Sequence, residues 1–88
     1  MAFSDKIGYR QVAAATTSVK ATPAGLYSVT CVVGGAVTVY DNASAGSGVI
    51  LYTKTMTAGE VAHWGGNALA ANNGLTVVSA GTVNVMYS

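Results

Sequence analysis

Apolar and polar positions alternate along most of this chain, and the alternation has a period of two. From Gly25 onward Tyr27, Val29, Cys31 and Val33 fall on one face of an extended segment while Ser28 and Thr30 fall on the other, the signature of a half-buried strand. Gly34-Gly35 follows, then Ala36-Val37-Thr38-Val39-Tyr40-Asp41, so the spacing predicts a hairpin around the diglycine. Asn42-Ala43-Ser44-Ala45-Gly46-Ser47-Gly48 is a loop by composition and leads into Val49-Ile50-Leu51-Tyr52-Thr53-Lys54. That run is apolar on both faces and predicts a central or doubly covered strand.

Thr57-Ala58-Gly59-Glu60 reads as a turn before Val61-Ala62-His63-Trp64, and a second diglycine, Gly65-Gly66, comes next. Asn72-Asn73-Gly74 introduces Leu75-Thr76-Val77-Val78, and Ala80-Gly81 introduces Thr82-Val83-Asn84-Val85-Met86-Tyr87 as a closing hairpin. Residues 1 to 22 read as an extended arm entering a first strand near Thr16 to Thr22, ahead of a β domain over residues 23 to 88. The expected fold is therefore all-β: one small antiparallel β-sandwich or jelly-roll-like barrel of about 7 to 8 strands with an extended N-terminal arm.

Composition narrows the function more than the fold. Of 88 residues only 4 are Lys or Arg and 3 are Asp or Glu, so 8% of the chain is charged, far below the usual share of about 25%. No basic tract for nucleic acid and no acidic tail exists. Residues 21 to 40 carry no charge, but Pro23, Gly25, Gly34 and Gly35 interrupt them, and a membrane span is not expected. The first ten residues do not read as a secretory signal, which makes the cytoplasm the expected place of synthesis. Valine occurs 13 times and tyrosine 5 times, a composition that folds rather than staying disordered.

Chemistry has few candidates. The chain contains one His, one Cys and three carboxylates; a catalytic triad would need His63 to meet Asp5, Asp41 or Glu60 across the fold, and nothing in the spacing requires it. Asp41-Asn42-Ala43-Ser44-Ala45-Gly46 supplies one carboxylate where a calcium loop needs several oxygen ligands. Gly46-Ser47-Gly48 runs into a strand and not into the helix that a phosphate loop requires. Cys31 reads as a buried thiol with no disulfide partner in the chain. No catalytic, cofactor-binding or metal-binding residue is expected, and the protein is not read as an enzyme.

The missing charge points to association. Residues Val61 to Ser88 carry no formal charge, whereas free sheet edges are normally guarded by Lys, Glu or Pro. A chain this small buries only about 60 to 65% of its unfolded surface, so copies or partners covering the edges would help it.

The segment Val37 to Gly48, with its Tyr40-Asp41-Asn42 strand end running into a Ser/Gly loop, resembles small virion structural proteins of tailed bacteriophages. The likeness continues in Leu51-Tyr52-Thr53, Asn73-Gly74-Leu75-Thr76-Val77-Val78 and Val83-Asn84-Val85-Met86-Tyr87, about the last two-thirds of the chain. The resemblance implies a β-rich module on the virus particle, a decoration or cement protein bound to the major capsid protein or another virion subunit. It implies a homo-oligomer, with a trimer on a local threefold axis favoured. In that reading Phe3, Ile7, Tyr9 and Arg10 anchor the arm, and His63 and Trp64 face an interface. Two other expectations stand beside it. One is a tail or head-fibre module that presents Trp64 and Asn67 to a host-cell glycan; the other is a small bacterial lectin-like module.

Overall fold

A computed structural model describes residues 8–64 and 67–88. Nine strands succeed one another: β1 Gly8–Val12, β2 Ala15–Lys20, β3 Ala24–Val33, β4 Gly35–Asp41, β5 Val49–Met56, β6 Val61–His63, β7 Leu69–Ala71, β8 Leu75–Ser79 and β9 Thr82–Tyr87.

Their pairing is nested. β4 returns on β5 around the loop 42–48; outside that pair β3 bonds β6 and β7, then β2 bonds β8, and outermost β1 bonds β9. The chain is one long antiparallel hairpin whose tip is the 42–48 loop. Rolling it up places β9 beside β3 and β8 beside β4. Two sheets result: β1-β9-β3 with β6 and β7 sharing the far edge of β3, and β2-β8-β4-β5. This is jelly-roll connectivity, and the all-β antiparallel sandwich expected from the pattern is the fold observed.

Residues paired across an antiparallel ladder point to the same face, so the register decides what is buried. Val29 opposite Val85 and Cys31 opposite Val83 in the first sheet, and Val39 opposite Val77 in the second, all point into the space between the sheets and are at most 2% exposed. Leu26, Val12, Val37, Leu75 and Met56 complete the centre of the core. Full burial of each such side chain is worth about 1.5–3 kcal/mol, which is how a chain with so few ion pairs holds together. Cys31 is a buried free thiol, as its place in the alternation suggests.

Four local expectations are corrected. The Gly34-Gly35 and Ala80-Gly81 turns are not hairpins: β3 and β4 lie in opposite sheets, as do β8 and β9. The turn residues do reverse the chain, but the next strand crosses the sandwich instead of bonding to the last. The two corners lie against each other, so that a Cβ on Gly35 would stand 2.7 Å from the backbone nitrogen of Gly81, and one on Gly81 would collide with the Val33 carbonyl. Glycine is needed there because backbone meets backbone.

The single face expected for Tyr27, Val29, Cys31 and Val33 is split by register shifts between Leu26 and Ser28 and between Cys31 and Val33. Leu26 and Val29 therefore both point inward, Tyr27 is half-buried and Val33 is exposed. β5, expected to be central, is an edge strand bonded only to β4, with Val49 65% and Ile50 51% exposed. Finally, the extended arm is from Gly8 onward a paired strand on β9, and with the interruption between β6 and β7 this raises the strand number to nine.

Other turns stand where the pattern puts them. The Glu60 N–H donates to the Thr57 carbonyl at 3.0 Å, closing the Thr57–Glu60 turn. The Gly65-Gly66 pair and residues 1–7 lie outside the described residues.

Candidate functional site

The two outer faces of the sandwich are treated differently by the chain. On the second sheet, the 42–48 loop folds back over the strands. Asn42 organises it: its Oδ1 accepts the N–H groups of Ser44 and Ala45, each at 2.9 Å, and its Nδ2 donates to the Ser47 carbonyl at 3.1 Å. The Ser18 hydroxyl donates to the Ala43 carbonyl at 2.6 Å, the Thr76 hydroxyl to the Asn42 carbonyl at 2.8 Å. Gly46 lies directly over Val78, Tyr40 and Thr16. Thr76, which faces outward, is thereby fully buried.

Asp41 locks the base of this loop. Its carboxylate accepts the Asn73 N–H at 2.7 Å, and the Asn42 N–H donates to the Gly74 carbonyl at 3.2 Å. The Asn73 N–H is the main cause holding the Asp41 carboxyl below its ordinary value, helped by the N–H groups of Asn72 and Gly74 against a smaller opposing effect of desolvation. The segment Asp41 to Gly46 is thus a tied turn. Among the described residues no group of three or more His, Cys, Asp or Glu is placed to hold a metal ion.

Among the described residues no such loop covers the first sheet. Its outer face is read directly from the ladders. Tyr9 is opposite Met86, Met86 opposite Ser28 and Ser28 opposite His63, so these four form one row across the sheet. Gln11, Asn84, Thr30 and Val61 form the next row. Tyr9, Val61 and Met86 are exposed, at 64%, 51% and 37%. His63 is exposed as well. With strands spaced about 4.8 Å apart, Tyr9 and His63 stand roughly 14 Å from each other at the two ends of the row. Neither row contains a formally charged residue. The Asn84 Oδ1 is shielded from solvent without a hydrogen-bond partner among the described residues.

The other sequence-derived candidates point the opposite way. Arg10 and Trp64 alternate with Tyr9 and His63 and turn toward the second sheet at its two opposite borders. The Arg10 guanidinium donates to the Ser18 carbonyl at 3.3 Å, closing β1 over β2. Trp64 packs edge-on against Tyr52 with ring centroids 5.4 Å apart and planes at 80°, closing β6 over β5. It is half-buried against the core, and the Asn67 N–H donates to its carbonyl at 3.0 Å. Phe3 and Ile7 lie outside the described residues. The structure thus brings Tyr9 and His63 to one face and separates them from Arg10 and Trp64.

Every charged side chain among the described residues is engaged within the chain. Arg10 and Lys20 donate to the carbonyls of Ser18 and Ser88. Lys54 pairs with Glu60, whose other oxygen accepts the Thr57 N–H at 3.1 Å. That pairing lifts the Lys54 ammonium above its ordinary value and lowers the Glu60 carboxyl below its own. Sequence reasoning missed Gln11, Ser28, Thr30, Val61, Asn84 and Met86 as members of the face. The alternation of Thr82, Asn84 and Met86 with Val83 and Val85 marks them as outward, but only the folded loop reveals which outer face stays bare. Comparison of the chain with protein-family models, with curated proteins and with solved structures found no match.

Proposed function

We propose that the protein is a non-enzymatic structural component of a tailed-phage particle, a decoration or cement protein that binds the head shell. The observation that carries this reading is the outer face of the first sheet, uncovered among the described residues and uncharged, with Tyr9 at one end, His63 and Val61 at the other, and Met86 set among hydroxyl and amide groups between them. A face without ions can be laid against another protein with little desolvation cost, and its aromatic and methionine side chains are of the kind enriched in the centres of interfaces. Repeated over the many equivalent positions of a shell, contacts of modest strength stabilise the whole by mass action.

Jelly rolls serve both viral shells and lectins, so the topology alone does not choose between them. The placement of Trp64 favours the shell: its ring is engaged with Tyr52 and set at the sandwich border rather than standing free as a sugar platform.

Localisation tests the proposal. Purified virions from the phage that encodes the chain, labelled with antibody against it, are expected to carry the label over the head. Labelling confined to the tail, or none on any particle, overturns it. With shells stripped of the protein, Tyr9→Ala and His63→Ala are each expected to weaken rebinding at least tenfold while the urea unfolding midpoint stays put. Rebinding that is unaffected by both rejects this face as the docking surface.

A further inference from the structure

The strand edges, unlike the faces, are guarded unequally. β1 is five residues long and clamped over β2 by Arg10. β6 and β7 are three residues each and interrupted between them. β2 is kinked by a register shift between Ser18 and Lys20 and ends in a lysine. Short length, kinks and charges are the usual means of keeping an edge from pairing with another chain.

β5 is different. It is eight residues long and, among the described residues, bonds to β4 on one side only, so its other side presents backbone N–H and C=O groups with no partner there along about 27 Å. Its first two residues, Val49 and Ile50, are 65% and 51% exposed. Its only charge, Lys54, is neutralised by Glu60 of the same chain.

We propose that β5 pairs with β5 of a second copy, antiparallel about a two-fold axis, joining the two second sheets into one eight-stranded sheet. The occupant follows from symmetry and charge. A two-fold axis sets a strand antiparallel to its own equivalent, so one surface satisfies both β5 edges and only the kinked β2 edges remain outermost. The run Val49 to Thr53 contains no charge to oppose its copy, and each Lys54 brings its own counter-ion. The contact buries less than the ~800 Å² per partner of a standard interface, so the pair forms reversibly and is read by its dependence on concentration. The inference is independent of the head-shell reading, which uses the outer face of the other sheet, and it replaces the threefold arrangement expected from the resemblance.

Sedimentation of the full chain across the micromolar to submillimolar range tests it. The expected result is a mass rising from 8.8 kDa toward twice that value. Ile50→Lys should hold the chain monomeric at the highest concentration with an unchanged thermal midpoint, and Val61→Lys, on the other sheet, should leave dimerisation intact. Hydrogen exchange should show the β5 amides that do not bond β4 protected only at high concentration. A chain that stays monomeric throughout, a trimer, or association blocked by Val61→Lys and not by Ile50→Lys overturns the proposal.

Discussion

Asp41 shows how a single residue ties distant parts of the chain. Its carboxylate holds the 72–74 turn against the end of β4, where Gly74 has a φ of +149° and where a Cβ would stand 2.5 Å from the Lys20 carbonyl oxygen. Because hydrogen bonds to the ionised form lower the folded-state pKa, the stabilisation is complete above the unfolded carboxylate value of about 3.9 and is lost as pH falls from there through the lower folded value. Asp41→Asn is expected to lower the urea midpoint at pH 7 and to flatten the acid side of the stability profile. Equal acid dependence in the two proteins would show that Asp41 contributes nothing to it. The sequence displays Asp41 as the end of a strand before a loop, which is correct, but its partner Asn73 is 32 positions away. No local pattern announces that pairing.

At the scale of elements, alternation reports which residues face the core and turn chemistry reports where the chain reverses. Both were legible: the strands around Val29, Val39, Val77 and Val85 stand where period two puts them. What alternation lacks is the identity of the neighbouring strand. A chain leaving β3 through Gly34-Gly35 has the same inward valines whether it bonds back or crosses to the opposite sheet, and the rolled hairpin chooses the crossing. The apolar run in β5 misleads for a related reason, since an edge strand whose outer side has no partner among the described residues has the composition of a buried one. The 42–48 loop is likewise readable as a loop and unreadable as a cover. Thr76→Val, which keeps the shape but removes the buried donor to the Asn42 carbonyl, is expected to cost about 1–2 kcal/mol in urea unfolding. Ser18→Ala, at an exposed site, should cost clearly less, and equal losses would mean that the loop is not held by burial at Thr76.

For the molecule as a whole, low charge was evident from composition, and its structural meaning was not. The five charged side chains of the described residues, Arg10, Lys20, Asp41, Lys54 and Glu60, all terminate on partners inside the chain. Stability therefore rests on the valine-rich core, and surface ion pairs contribute little. Raising NaCl from about 0.05 to 1 M is expected to move the monomer's thermal midpoint by less than about 2 °C. A larger fall would show that Lys54–Glu60 and its fellows carry weight that their exposure denies them.

The nesting of the ladders also constrains how this protein is made. β9, the last of the nine strands, lies between β1 and β3 and is the only strand among the described residues that bonds β1. During translation the tip around β4 and β5 can close early, since its contacts are near in sequence, but β1 emerges before the other eight strands and waits for β9 until all of them have been made. Its companion arrives only as synthesis of this stretch ends. Nascent chains stalled before Thr82 should accordingly be the species that chaperones and proteases meet, whereas one extended past Tyr87 has the strand that β1 needs.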